Sequence, residues 1–180
     1  SDLTIFSGGA VKSGLTDAIA AYEREHKKSV FVEYHPMGPL TKMLGEGARP
    51  DIVVLTREVV DEVAAKGFLA LDTLTESGRV GMGVAVHVGA PLPDISTPEA
   101  FKRALLAAKS IVYIDPARGT SGKHFAVVLK KLGIADAVNA KATLGTGGAV
   151  VEPVGRGQIE LGVHQITEIL PVPGVKLVGP

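Results

Sequence analysis

Cysteine and tryptophan are both missing from this chain of 180 residues. Without cysteine there is no disulfide, no thiolate metal ligand and no cysteine nucleophile. Five Phe and three Tyr make up the remaining aromatics, too few to build stacking platforms for nucleobases or sugar rings. A surplus charge of either sign is lacking as well. Nineteen basic and nineteen acidic side chains cancel, so the chain has no basic footprint and no nucleic-acid partner is expected. No apolar run approaches the roughly 18 residues of a membrane span. The chain opens at Ser1-Asp2 and passes directly into an apolar segment, which reads as a mature or trimmed chain rather than one carrying a secretory leader.

What is present is a core-forming composition. Hydrophobic residues make up 46% and charged residues 21%, enough to bury a core in one domain or two small lobes. Strand-like and helix-like segments alternate. Residues 3–6, 30–34, 52–55, 80–88, 111–114, 141–144, 161–163 and 175–178 read as strands. Residues 11–26 carry Leu15, Ala18, Ile19 and Tyr22 at helical spacing. Further helices are expected at 40–46, 58–65, from Pro98 to about Ala108 with Ser96-Thr97 as the cap, at 122–132 and at 147–155. Pro36-Met-Gly-Pro39 reads as a turn. This alternation predicts an α/β fold with mixed, mostly parallel sheets covered by helices. The proline-punctuated stretch near 80–95 divides it into two lobes.

Ligands of such sheets bind beyond the carboxyl ends of the strands, so the turns there carry the candidates. Leu3-Thr-Ile-Phe-Ser-Gly-Gly-Ala10 runs an apolar strand into a small-residue turn and then a helix. A helix start of this kind offers free N–H groups and the positive end of a dipole to an anion. The plainer alternative is a tight βα turn. Asp115-Pro-Ala-Arg-Gly-Thr-Ser-Gly-Lys123 repeats the arrangement. It resembles a phosphate-binding loop but fails the pattern: Ala117 stands where Gly is needed, and His124 where a Mg²⁺-binding hydroxyl belongs. The weaker reading remains, with Ser121 and Gly122 amides and the Thr120 or Ser121 hydroxyl cradling an anion. Arg118 is placed to add a bidentate contact to a carboxylate or to remain solvated. Gly145-Thr-Gly-Gly-Ala149 is a third glycine-rich entrance, with Gly147 and Gly148 open to a close approach.

Five histidines (26, 35, 87, 124 and 164) show no metal-binding spacing, so neither metal nor cofactor is expected. His35 and His164 follow strands at the ligand edge. Ser7 and Ser121 have no base visible in the sequence, and Asp51 and Asp115 read as turn residues, so no catalytic residue is assigned.

The order of these turns, with Gly45-Glu-Gly-Ala-Arg-Pro-Asp-Ile-Val-Val54, Ile114-Asp-Pro, Thr120-Ser-Gly, Leu129-Lys-Lys-Leu-Gly and Glu160-Leu-Gly-Val, resembles the periplasmic molybdate-binding proteins within the type II solute-binding superfamily. The resemblance spans essentially the whole chain. It implies a periplasmic protein whose two α/β lobes close by hinge motion on a ligand in an interlobe cleft. It also implies delivery to the membrane permease of an ABC importer. The lobes would comprise 1–80 with 168–180 returning to it, and 81–167, hinged at 77–90 and 164–170.

Family ligand contacts fall near Ala10, Met37-Gly38, Ser121, Gly147 and Gln165. The expected ligand set is Ser7, Gly8, Gly9, Ala10, Met37, Gly38, Thr120, Ser121, Gly122, Gly147, Gly148, His164 and Gln165. Three hydroxyls of the family pattern are replaced here, by Ala10, by the Pro36–Pro39 stretch and by Gln165. A desolvated tetrahedral oxyanion needs many short donors, so a small organic carboxylate is expected in place of molybdate. Family members also continue with further helices, whereas this chain stops at Pro180. The uncovered side then invites homodimerisation. The other functions weighed are an effector-sensing domain of a transcriptional regulator, and a small-acid isomerase, lyase or hydrolase with His35 or His164 as base.

Overall fold

In the computed structural model, which describes residues 1–180, the chain forms two compact units, Ser1–Arg79 and Val80–Pro180. The first is built on β1 (Leu3–Ser7), whose neighbours are β2 (Val30–Tyr34) and β3 (Ile52–Val54). The order is β2-β1-β3 and every pairing is parallel. Helices α1 (Lys12–His26), α2 (Met37–Gly45) and α3 (Arg57–Ala65) complete the unit. Its core joins Phe6, Met37, Leu40, Leu44 and Val63. Leu40 and Leu44 lie one helical turn apart on a single face of α2 and are buried. Each such side chain contributes about 1.5–3 kcal/mol.

The Pro36–Pro39 turn expected from sequence is instead the start of α2. Pro36 caps the helix in an extended conformation, and the Leu40 amide donates to Pro36 O at 3.1 Å. Pro39 is tolerated because a first-turn residue has no intrahelical acceptor for its missing N–H.

The second unit contains β4 (Met82–His87), α4 (Pro98–Ala107), β5 (Ile111–Ile114), α5 (Thr120–Leu132), α6 (Ala135–Asn139), β6 (Ala142–Gly145), α7 (Glu152–Gly155), β7 (Leu161–Gln165), α8 (Ile166–Ile169) and β8 (Val175–Gly179). Its sheet order is β6-β5-β7-β4-β8. β5 runs parallel to β6 and β7, and β4 runs antiparallel to β7 and β8. The strand period of two sorts the core into two faces. Ile111, Tyr113, Val84 and Val86 join Phe125, Leu129, Leu105 and Val138 from the helices. Val112, Ile114 and Ala85 join Val150, Val151, Val154 and Ile169. The Tyr113 ring also meets Phe125 edge-on, and its hydroxyl bonds Asn139 Oδ1. Thr97 caps α4 as its sequence predicts, accepting from the Ala100 amide at 3.0 Å.

Three further expectations are corrected. Residues 168–180 do not return to the first unit: β8 pairs with β4, and Val175 and Leu177 pack on the cluster around Val154 and Ile169. The proposed return at 164–170 is the end of β7 and the short helix α8, both inside the second unit. The helix expected over 147–155 shrinks to Glu152–Gly155, because Gly147 and Gly148 adopt φ of 126° and 65°, values that interrupt a right-handed helix. No helix is long and apolar enough to cross a membrane.

Candidate functional site

Because β5, β6 and β7 run parallel, the turns after Ile114, Gly145 and Gln165 share one edge of the second unit. The main feature there is the first turn of α5. Its cap, Gly119, is extended and offers no side chain to the helix. The first backbone donation is Lys123 to Gly119 O at 3.1 Å. The amides of Thr120, Ser121 and Gly122 therefore have no backbone acceptor, as the geometry of a helix start dictates. They open a helix of thirteen residues, with the positive end of the dipole at this turn.

Gly122 explains how that turn sits so close to the strand. A Cβ at this position would lie 2.0 Å from Ile114 O, so only glycine lets α5 start directly on the end of β5. The connecting loop is held by Asp115, which accepts from the Ala117 amide through Oδ1 at 2.9 Å and from the Gly119 amide through its carbonyl at 3.2 Å. Arg118, weighed as a carboxylate ligand, donates from Nε to Thr146 O at 3.0 Å. It ties the 115–119 loop to the loop carrying Gly147 and Gly148.

Two side chains buried at this edge form a continuous contact. Ser121 Oγ lies 3.1 Å from His164 Nδ1, and the residues are 3% and 2% exposed. On the other side of the ring, His164 Nε2 lies 3.1 Å from Glu168 Oε2 on α8. That approach is not aligned as a hydrogen bond, so Nε2 is a buried atom without one. Burial lowers the His164 pKa to about 4, because desolvation penalises the imidazolium. At neutral pH the ring is neutral, with one nitrogen able to donate and the other to accept. Gln165, the next residue, ends β7 and caps α8.

The first unit has its own strand edge. The Ser7 hydroxyl donates to Gly8 O at 2.9 Å, the Gly8 amide to Val54 O at 2.9 Å, and the His35 amide to Ser7 O at 2.9 Å. Gly9 and Ala10 lie in a single 3-10 turn, Gly9–Val11. Met37 covers Gly8: a Cβ there would stand 2.6 Å from Met37 Cε. The Thr56 amide points at Met37 Sδ at 3.5 Å. Gly38 is exposed in the first turn of α2. Two buried polar atoms at this edge, His35 Nε2 and Thr56 Oγ1, have no hydrogen-bond partner. The nearest acid to His35 Nε2 is Glu33, at 4.0 Å.

The candidate residues thus divide between the units. Ser7, Gly8, Gly9, Ala10, Met37 and Gly38 lie at the first edge. Thr120, Ser121, Gly122, Gly147, Gly148, His164 and Gln165 lie at the second. Sequence reasoning missed Glu168 and Thr56. Glu168 stands four residues after His164, a spacing visible in the sequence, but no helix was expected after residue 163. No group of three or more His, Asp or Glu comes together in the way a metal ion would require.

Solved structures of periplasmic binding proteins share this fold. The periplasmic molybdate-binding protein of Azotobacter vinelandii matches with a TM-score of 0.76 at 15% identity, over 99% of this chain and 79% of that one. The tungstate ABC transporter structure from Geobacter sulfurreducens matches with a TM-score of 0.72 at 17% identity, over 99% and 79%. Among curated proteins, an aconitate isomerase from a Pseudomonas species is 30% identical over 182 residues, covering 98% of this chain and 69% of its own length. The chain belongs to the bacterial extracellular solute-binding protein family, which it matches over residues 3–180.

Proposed function

We propose that the chain is a periplasmic solute-binding protein that captures a small organic carboxylate for the permease of an ABC importer. The observation that carries this reading is the α5 start, where the amides of Thr120, Ser121 and Gly122 have no backbone acceptor and the cap supplies no side chain. Charge-assisted hydrogen bonds of this type are worth about 1.5–3 kcal/mol each. A carboxylate is favoured over a metal oxyanion because Gln165, at the same edge as the α5 turn, stands where the family resemblance expects a hydroxyl donor. The relative named aconitate isomerase agrees with this preference, since aconitate is a tricarboxylate. The test is isothermal titration of the purified chain with trans-aconitate, succinate, molybdate and sulfate. Binding of a carboxylate with no response to molybdate or sulfate supports the reading. Binding of the metal oxyanion alone defeats it.

A second reading is an isomerase of unsaturated carboxylic acids, favoured by the Ser121–His164–Glu168 contacts and by the name of the 30% identical relative. Such a reaction removes a proton from one carbon and returns one to another across a double bond. The imidazole held between Ser121 and Glu168 is the group this reading assigns to carry that proton. The experiment is proton NMR of trans-aconitate with the chain in D₂O. Deuterium entering the methylene position, or the appearance of the cis isomer, supports isomerisation. Unchanged spectra alongside measurable binding leave the binding protein as the function.

A further inference from the structure

The contact chain through Ser121, His164 and Glu168 bears on how an anion is admitted. A serine hydroxyl has one proton to donate. If His164 carries its hydrogen on Nε2, facing Glu168, then Nδ1 is a bare acceptor 3.1 Å from Ser121 Oγ. The hydroxyl proton then turns to the imidazole, and oxygen lone pairs remain on its other side, which repel an anion. If Nδ1 carries the hydrogen, it donates to Ser121 Oγ and the hydroxyl proton is free for a ligand. In that case a bare Nε2 would face a carboxylate 3.1 Å away. Two acceptors at that distance need a proton between them, on either Glu168 or Nε2. The donor state of Ser121 therefore holds one proton more than the state in which its hydroxyl serves the histidine.

We propose that Glu168 and His164 form a positioning pair that takes up one proton from solvent when a carboxylate binds, turning the Ser121 hydroxyl into a donor for that anion. This rests on the proposed binding at the α5 turn and adds that the anion and a proton enter together. β4 opposes His164 with Gly83, and β5 pairs with β7 through Ile111 and Val112. α5 presents Ser121, while its Lys123 and His124 sit at exposed positions. α8 supplies Glu168.

The experiment is isothermal titration with trans-aconitate in two buffers of different ionisation enthalpy. It is run at pH 7–8, roughly three pH units above an ordinary carboxyl pKa, so that the ligand itself does not titrate. The expected result is uptake approaching one proton per ligand bound, with Kd tightening up to about tenfold for each pH unit of acidification. In Glu168→Gln, whose amide does not titrate, proton uptake vanishes and Kd no longer follows pH. Ser121→Ala, which keeps the pair but has no hydroxyl to turn, also loses the uptake. Binding by the parent chain without proton uptake overturns the proposal and leaves the binding function intact. So does uptake that survives both substitutions in folded protein. No heat with any carboxylate overturns the binding reading itself, and this proposal with it.

Discussion

Ser121 Oγ and His164 Nδ1 lie 3.1 Å apart across 43 positions of sequence, and both side chains are buried. The contact fastens the first turn of α5 to the end of β7, so the candidate anion site and the fold of the second unit share one hydrogen bond. Ser121→Ala leaves a ring nitrogen buried without a partner, which costs about 1–3 kcal/mol. Urea unfolding of the variant should show a lower midpoint with an unchanged slope. An unchanged midpoint would mean that the contact contributes nothing to stability.

Two glycines at helix starts make predictions of different size. A Cβ at Gly122 meets the Ile114 backbone at 2.0 Å, whereas a Cβ at Gly8 meets the end of Met37 at 2.6 Å. Backbone cannot yield as a methionine side chain can. Gly122→Ala should cost on the order of 2–4 kcal/mol and displace the α5 turn, weakening any anion held there. Gly8→Ala should cost about 1 kcal/mol as Met37 shifts rotamer. Paired denaturation curves check the ranking, and equal losses would contradict it.

Acid should destabilise the second unit through His164. Its folded pKa is lowered from 6.5 to about 4 by burial. As pH falls through 6.5 the unfolded chain binds a proton that the folded chain refuses, so stability declines from pH 6.5 and levels off below about 4. A tenfold difference in proton affinity between the folded and unfolded chain is worth about 1.4 kcal/mol, which sets a ceiling of about 3 kcal/mol for this group. His164→Asn should flatten that part of the stability profile. The check is the difference in unfolding free energy between pH 7 and pH 4.5 for parent and variant, and parallel profiles would contradict the assignment.

Much of this was legible in the sequence. Val30–Tyr34 and Ile111–Ile114 stand where β-branched and aromatic runs place them. The helical spacing of Phe125, Val128, Leu129 and Leu132 marks the face that α5 turns to the core. Pro36 and Pro39 misled because proline breaks a helix interior yet suits a first turn. The end of the chain was misplaced because local pattern marks Val175–Val178 as a strand but does not choose its neighbour. β4 is that neighbour, and the pairing joins residues about 90 positions apart. Glu168 was invisible as a partner of His164 because strand β7 passes into helix α8 between them. Their contact is a property of that junction rather than of helical spacing.

The most direct test of the central claim is an amide ¹⁵N–¹H NMR titration of the folded chain with trans-aconitate. The account predicts that the amides of Thr120, Ser121 and Gly122 move first and farthest, with Gly147 and Gly148 following, and that Ser121→Ala reduces the response. Shifts confined to other parts of the chain, or resonances at the α5 turn that stay still while the ligand binds, would contradict it.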